Sequence, residues 1–204
     1  RLSTMKKMVC LVLALVLCLN VAALAEYVPS KTTEDMTQIE VAAENMPGDA
    51  SLYIEPVPED HPDYQQAVTV CEEEISALAA TTVVEYFGEV KDSEGNPVDL
   101  TEMLGTQDLK VYEYIPLVAG NYEEEYGDVT ATMYFSTPYE AGQEVVVMIG
   151  FVTIAEDGTW TVEWIAYEGV GVADGQGSGI QVKLDAETVL AIQNGKTLMA
   201  IVSK

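Results

Sequence analysis

The sequence predicts a mainly β protein: an antiparallel β-sandwich with one inserted α-helix from about residue 62 to about residue 80. At least eight short segments with strand-like patterns follow residue 38, and clusters of Gly, Pro, Asn and Asp separate them. Residues 62–80 carry the one strong repeat of apolar residues at helical spacing. Because 49% of the 204 residues are apolar, the chain can bury a substantial core.

The first 25 residues have the pattern of a secretory signal peptide. A short basic region precedes an unbroken apolar run over residues 8–19, and residues 23–25 give the small-x-small pattern of a cleavage site. We therefore expect cleavage after Ala25 and a secreted, extracellular protein, either free or associated with the cell surface. Residues 1–4 precede the first Met and are interpreted as an upstream scar.

The remaining residues predict a leader followed by one domain. Residues 26–36 show no periodicity and are interpreted as a leader or linker. Residues 38–57 hold two strand patterns, which are too few strands to fold alone. Residues 37–204 are therefore expected to form a single β-sandwich domain that includes the helix.

The charge excludes some classes of partner. The chain carries 34 acidic residues against 9 Lys and Arg, so its formal net charge is −25. Removal of residues 1–25 leaves 6 Lys, no Arg and a net charge of −28. Nucleic acids and anionic membranes need clustered cations, so neither is an expected partner after signal cleavage. The same removal leaves Cys71 as the one cysteine, which excludes an internal disulfide.

The elements follow one another in a consistent order. Alternating apolar residues predict strands over 38–44 and 51–57, and a Pro-Gly turn lies between them. Tyr64, Cys71 and Leu78 belong to the apolar stripe of the helix. The Gly-rich segment 169–179 is interpreted as a flexible connection. Further strands and a short helix at 185–194 are expected, the strands over 83–92, 98–100, 109–118, 129–137, 145–154, 160–166, 180–184 and 198–203.

Three segments carry a resemblance to a known class of domain. They are IEVAAENMPGDASLYIEPV (39–57), VVEYFGEVKDSEGNPVDL (83–100) and VTATMYFSTPYEAGQEVVVMIGFV (129–152) together with DGTWTVEWIAY (157–167). In strand and turn order the chain resembles Ig-like β-sandwich modules of secreted and surface proteins of Gram-positive bacteria, and distantly the ZU5 domain. The resemblance implies a non-catalytic structural or adhesive module that binds an extracellular protein or glycan, and it supplies no catalytic residues.

The densest acidic loop is a candidate calcium site. Glu123, Glu124 and Glu125 are consecutive, and Asp128 follows them closely. Extracellular modules hold Ca²⁺ with carboxylates at millimolar affinity, so these four side chains are the expected ligands of such an ion. The alternative is a solvated, self-repelling loop. We expect no other cofactor.

A group of tyrosines is a candidate recognition surface. Tyrosines enriched between residues 112 and 139 would bind a protein or glycan if they shared an exposed face. The alternative is that the strands use tyrosine because it suits a pleated surface. The candidates are Tyr112, Tyr114, Tyr122, Tyr126 and Tyr134.

The sequence favours a non-catalytic function. Cys71 lies on the apolar stripe and precedes three Glu, which disfavours a reactive thiolate. His61 lies where the helix begins, a position that local capping explains. Two alternatives stay open: a secreted hydrolase that uses paired carboxylates, and an extracellular domain stabilised by Ca²⁺.

Overall fold

A computed structural model describes residues 26–27, 36–136 and 138–204. The predicted signal peptide and most of the predicted leader lie outside the described residues. Within the described part, no helix has the length and apolarity that crossing a membrane requires.

Most of the described chain is β-strand, as the sequence predicts. The strands are β1 (Glu26–Tyr27), β2 (Met36–Ala43), β3 (Tyr53–Pro56), β4 (Val90–Lys91), β5 (Pro97–Val98), β6 (Lys110–Gly120), β7 (Val129–Phe135), β8 (Glu144–Ile154), β9 (Trp160–Ala173), β10 (Ser178–Leu184) and β11 (Thr197–Ser203). The helices are α1 (Tyr64–Leu78), α2 (Val83–Phe87), α3 (Leu100–Leu104) and α4 (Ala186–Asn194), with a 3₁₀ turn at Glu124–Tyr126.

The strands form one continuous sheet that curves into a nearly closed barrel. Its main path has the order β1-β6-β11-β8-β9-β10-β7-β2, and β3 pairs with β6 beside β1. The pairs are antiparallel apart from β1 with β6 and β4 with β9, which are parallel. Strands β2 and β3, at the two ends of the sheet, lie close to each other and make no ladder. The two-sheet arrangement of a sandwich is therefore not what the described residues form. Long, twisted strands explain the difference: β9 has 14 residues and pairs with β8 along one part and with β10 at its end.

The inner face of the barrel holds the larger apolar core. Alternate residues of β7, β8, β10 and β11 point inwards, among them Ile149, Ile180 and Ile201, which are fully buried. Val189 and Ile192 of α4 complete this core at one end. The inner core is thus filled by side chains from strands that are distant in sequence.

The outer face of β6, β11 and β8 is covered by the other helices. Val70 and Leu78 of α1 pack with Phe87 of α2 and Leu104 of α3 in a second buried cluster. The outward residues of β8 and β11, such as Met148, belong to the same cluster. The helix predicted over 62–80 is confirmed in this layer as α1.

The strand predicted over 83–92 is wrong in its first half. Residues Val83–Phe87 form α2, and a strand begins only at Val90. Thr82 and Glu85 make a reciprocal capping box at the start of α2, with the Glu85 N–H donating to the Thr82 hydroxyl at 3.2 Å. The cap overrides the β preference of the Val and aromatic residues that follow it.

The Gly-rich segment 169–179 is mostly part of the sheet. β9 extends to Ala173, and β10 begins at Ser178. A Cβ atom at Gly179 would lie 2.2 Å from the Met133 carbonyl oxygen, so only glycine allows β7 to approach so closely. Only residues 174–177 connect the two strands, so the predicted connection is much shorter than 169–179.

Replacement of Ile201 tests the inner core. Ile201→Ala should lower the free energy of unfolding by about 2–5 kcal/mol, because the lost methylenes leave a cavity between paired strands. Urea unfolding followed by tryptophan fluorescence measures the change. Val170→Ala is the control, since Val170 is 40% exposed on β9 and its replacement should cost less than about 1 kcal/mol. Equal losses in the two variants would contradict this core.

Candidate binding groove

The helices leave part of the barrel wall uncovered. Beyond α3, the outer faces of β10, β7 and the end of β9 carry exposed or half-buried side chains. A groove of about 560 Å³ runs along this wall, with Met103 of α3 on its side. Glu144, Glu168 and Gln181 of β8, β9 and β10 are among its lining residues.

Strand register sets the order of the groove residues. Glu144 of β8 pairs with Val170 of β9, and Val170 pairs with Gln181 of β10. Gln181 pairs in turn with Thr132 of β7, and its amide donates to the Thr132 hydroxyl at 3.2 Å. Because side chains alternate along each strand, these four residues lie in one row on the outer face.

A second groove adjoins the first around α3. It has a volume of about 750 Å³ and shares Met103 and Glu168 with its neighbour. Its other lining residues come from β5 and the turn before it, from the start of α3 and from β9, and Glu94 and Glu102 are exposed there. The two grooves therefore adjoin each other at Met103 and Glu168.

Two carboxylates in the second groove are held by local hydrogen bonds. Asp92 accepts from the Asn96 side chain and backbone, and the Asn96 side chain makes the largest contribution to lowering the pKa of Asp92. Asp99 caps α3, and hydrogen bonds led by the Thr101 hydroxyl lower the pKa of Asp99. Both groups therefore stay negatively charged at neutral pH.

The cation of the first groove is already paired. Lys183 of β10 lies 2.9 Å from a Glu44 carboxylate oxygen and 3.0 Å from one of Asp128. Hydrogen bonds to these two carboxylates raise the pKa of Lys183, with Glu44 first. The ammonium group of Lys183 thus points towards the end of the barrel, and the groove has a net negative charge.

The predicted calcium ligands are not gathered into one group. Glu123, Glu124 and Glu125 are exposed at the 3₁₀ turn, whereas the Asp128 carboxylate pairs with Lys183. Among the residues that the structure describes, no three His, Cys, Asp or Glu side chains are placed to hold a metal ion together.

The predicted tyrosine surface is mostly part of the core. Tyr114 lies in the outer cluster, and Tyr122, Tyr126 and Tyr134 are also buried. Tyr112 is half-buried and lies edge-on to Tyr139, with ring centroids 6.4 Å apart. The four buried tyrosines therefore form no exposed face: Tyr122 and Tyr126 pack in the inner core, Tyr114 packs in the outer cluster, and the Tyr134 hydroxyl donates to Asp174 at 2.9 Å.

A polar cluster under α1 joins the helix layer to the sheet. Glu74 accepts a hydrogen bond from the Trp160 indole at 2.9 Å and from the Tyr86 hydroxyl at 2.5 Å. The Tyr86 hydroxyl also lies 2.8 Å from that of Tyr114. Burial is the main cause that raises the pKa of both tyrosines, so both stay neutral. This cluster links α1, α2, β6 and β9, so its four polar side chains have a structural role.

The groove residues are not among those predicted from the sequence. Glu168, Gln181 and Lys183 each follow or precede inward apolar residues, and that alternation was the available signal for an outward polar row. It did not indicate that the helices would leave this row uncovered.

No family model, curated protein or solved structure matches the chain.

Cys71 should be inert in the native protein. Burial, with help from the charges of Glu72 and Glu74, raises the pKa of the Cys71 thiol to about 12. At pH 8 the thiol therefore stays protonated, and iodoacetamide should modify it only when the protein unfolds. Mass spectrometry of the peptide that contains Cys71 measures this, with labelling in guanidinium chloride as the positive control. Rapid labelling without denaturant would contradict the buried placement.

Removal of the Glu74 carboxylate should loosen the helix layer. Glu74→Ala takes the acceptor away from Trp160 and Tyr86, and we expect the free energy of unfolding to fall by about 1–3 kcal/mol. The matched control is Glu73→Ala on the exposed side of α1, which should change it by less than about 0.5 kcal/mol. Urea titrations of both variants make the comparison. A loss at Glu73 as large as that at Glu74 would show that the cluster does not matter.

Proposed function

We propose that this protein is an exported, non-catalytic module that binds an extracellular protein or glycan in the groove beside α3. The observation that carries the proposal is the pair of adjoining grooves, of about 560 Å³ and about 750 Å³, on a barrel wall that no helix of the described residues covers. Binding sites are usually concave and of this size. The proposed export rests on the signal-peptide pattern of residues 1–25.

The groove lies on rigid elements. Its floor is formed by β8, β9, β10 and β7, which are joined by continuous antiparallel ladders. Its wall, α3, is fixed by buried Leu100 and Leu104 and by the Asp99 cap. A preformed site on strands loses little conformational entropy on binding, which supports a recognition role.

Carboxylate chemistry has less support. A hydrolase of the glycosidase type needs a general acid whose pKa is raised. In the groove, Asp92 and Asp99 have a lowered pKa and are committed to turn and cap hydrogen bonds. These groups suit a charged binding surface better than proton transfer.

A steric block of the groove tests the proposal. Gln181→Trp should fill the floor beside Val170 and weaken binding of a groove ligand by at least about tenfold. The control is Glu163→Trp, because Glu163 is exposed on the same strand as Val170 and does not line the groove. Binding is measured on a peptide array and a glycan array.

The expected result is at least one probe that the native protein and the Glu163→Trp variant bind and the Gln181→Trp variant loses. If no probe binds, or if every bound probe tolerates Gln181→Trp, the groove is not a recognition site. Circular dichroism of the variants confirms that each retains its β content.

A further inference from the structure

The charge of the groove limits the chemistry of its ligand. Glu168 and Glu144 are exposed on its floor, and Glu102 is exposed on its wall. Lys183, which also lines the floor, is neutralised by Glu44 and Asp128. Glu144 is itself paired, since its carboxylate lies 3.7 Å from the Lys204 ammonium group. Glu168 and Glu102 make no ion pair among the described residues, so a ligand that enters the groove meets these two carboxylates with their charge not offset.

Apolar groups lie between these carboxylates. Val170 is 40% exposed on β9, between Glu144 and Gln181 in the outward row. Met103 of α3 is half-buried and borders both grooves. This alternation suits lysine, whose methylene stem packs on apolar surface while its ammonium group reaches a carboxylate.

The shape of the site suits an extended chain. The outward row crosses four strands, and the second groove adjoins the first at Met103 and Glu168 and reaches the turn between β4 and β5. A peptide that follows this path can place successive side chains near Glu168 and then Glu102. A small ion would contact only one end.

We propose that the occupant of the groove is an extended, lysine-rich peptide segment of a partner protein. This inference rests on the proposed binding function and specifies its ligand. Charge complementarity sets the preference for the segment and makes binding sensitive to salt, because the carboxylates involved are exposed.

Isothermal titration with octalysine tests the ligand class. The double variant Glu102→Gln/Glu168→Gln removes two groove charges and should weaken octalysine binding about fivefold, as two exposed ion pairs would. The control, Glu163→Gln/Glu187→Gln, removes two exposed charges outside the groove and has the same net charge. It should weaken binding less than about twofold.

The outcomes separate the two proposals. Equal weakening in both double variants would mean diffuse attraction to an acidic protein and would overturn the inference. Failure of octalysine to bind, while a neutral peptide or glycan is lost in Gln181→Trp, would overturn the lysine-rich ligand and leave the binding function intact. If Gln181→Trp affects no ligand at all, the binding function fails as well.

Discussion

The central strands β8 and β11 are apolar on both faces, and the rest of the structure depends on covering both. On β8, Val147 and Ile149 belong to the inner core and Val146 and Met148 to the outer cluster, and all four are at most 1% exposed. The barrel covers the inner set, but a closed sheet alone would leave the outer set in water. Helices α1, α2 and α3 meet that requirement, with the Glu74 cluster satisfying the polar groups trapped beneath them.

The helices cover one wall of the barrel, so the other wall is the one that is open to a ligand. The outer layer of helices reaches only as far as α3. The outer faces of β10, β7 and the end of β9 therefore remain in solvent and carry polar side chains. Two negative charges in the adjoining groove around α3 have local structural roles: Asp99 caps a helix and Asp92 closes a turn. These local roles, added to Glu102 and Glu168, give a concave surface its acidic character. The binding proposals follow from that division between a covered and an uncovered wall.

The sequence predicted local patterns better than it predicted the arrangement. Strand alternation and the stripe of α1 are local, and both were recognisable because burial imposes their periods. Closure into a barrel was not recognisable from the sequence. It depends on the length and twist of β9, and the strands of a sandwich show the same alternation. The strand predicted over 83–92 followed the β preference of Val83 and Val84, and the capping box at Thr82, which overrides that preference, was not recognised. For the site, composition indicated tyrosines that the structure buries, and it gave no indication of which polar row would stay uncovered.

Amide hydrogen exchange of the protein with and without octalysine tests most directly whether the uncovered wall is the working surface. Protection should increase in α3, in the turn that precedes it and along β10, while exchange in α1 and β11 stays unchanged because the helix layer already covers that side. New protection confined to α1, β6 or β11 would contradict the division of the barrel into a covered structural wall and an open binding wall, and no change at any amide would overturn the lysine-rich ligand.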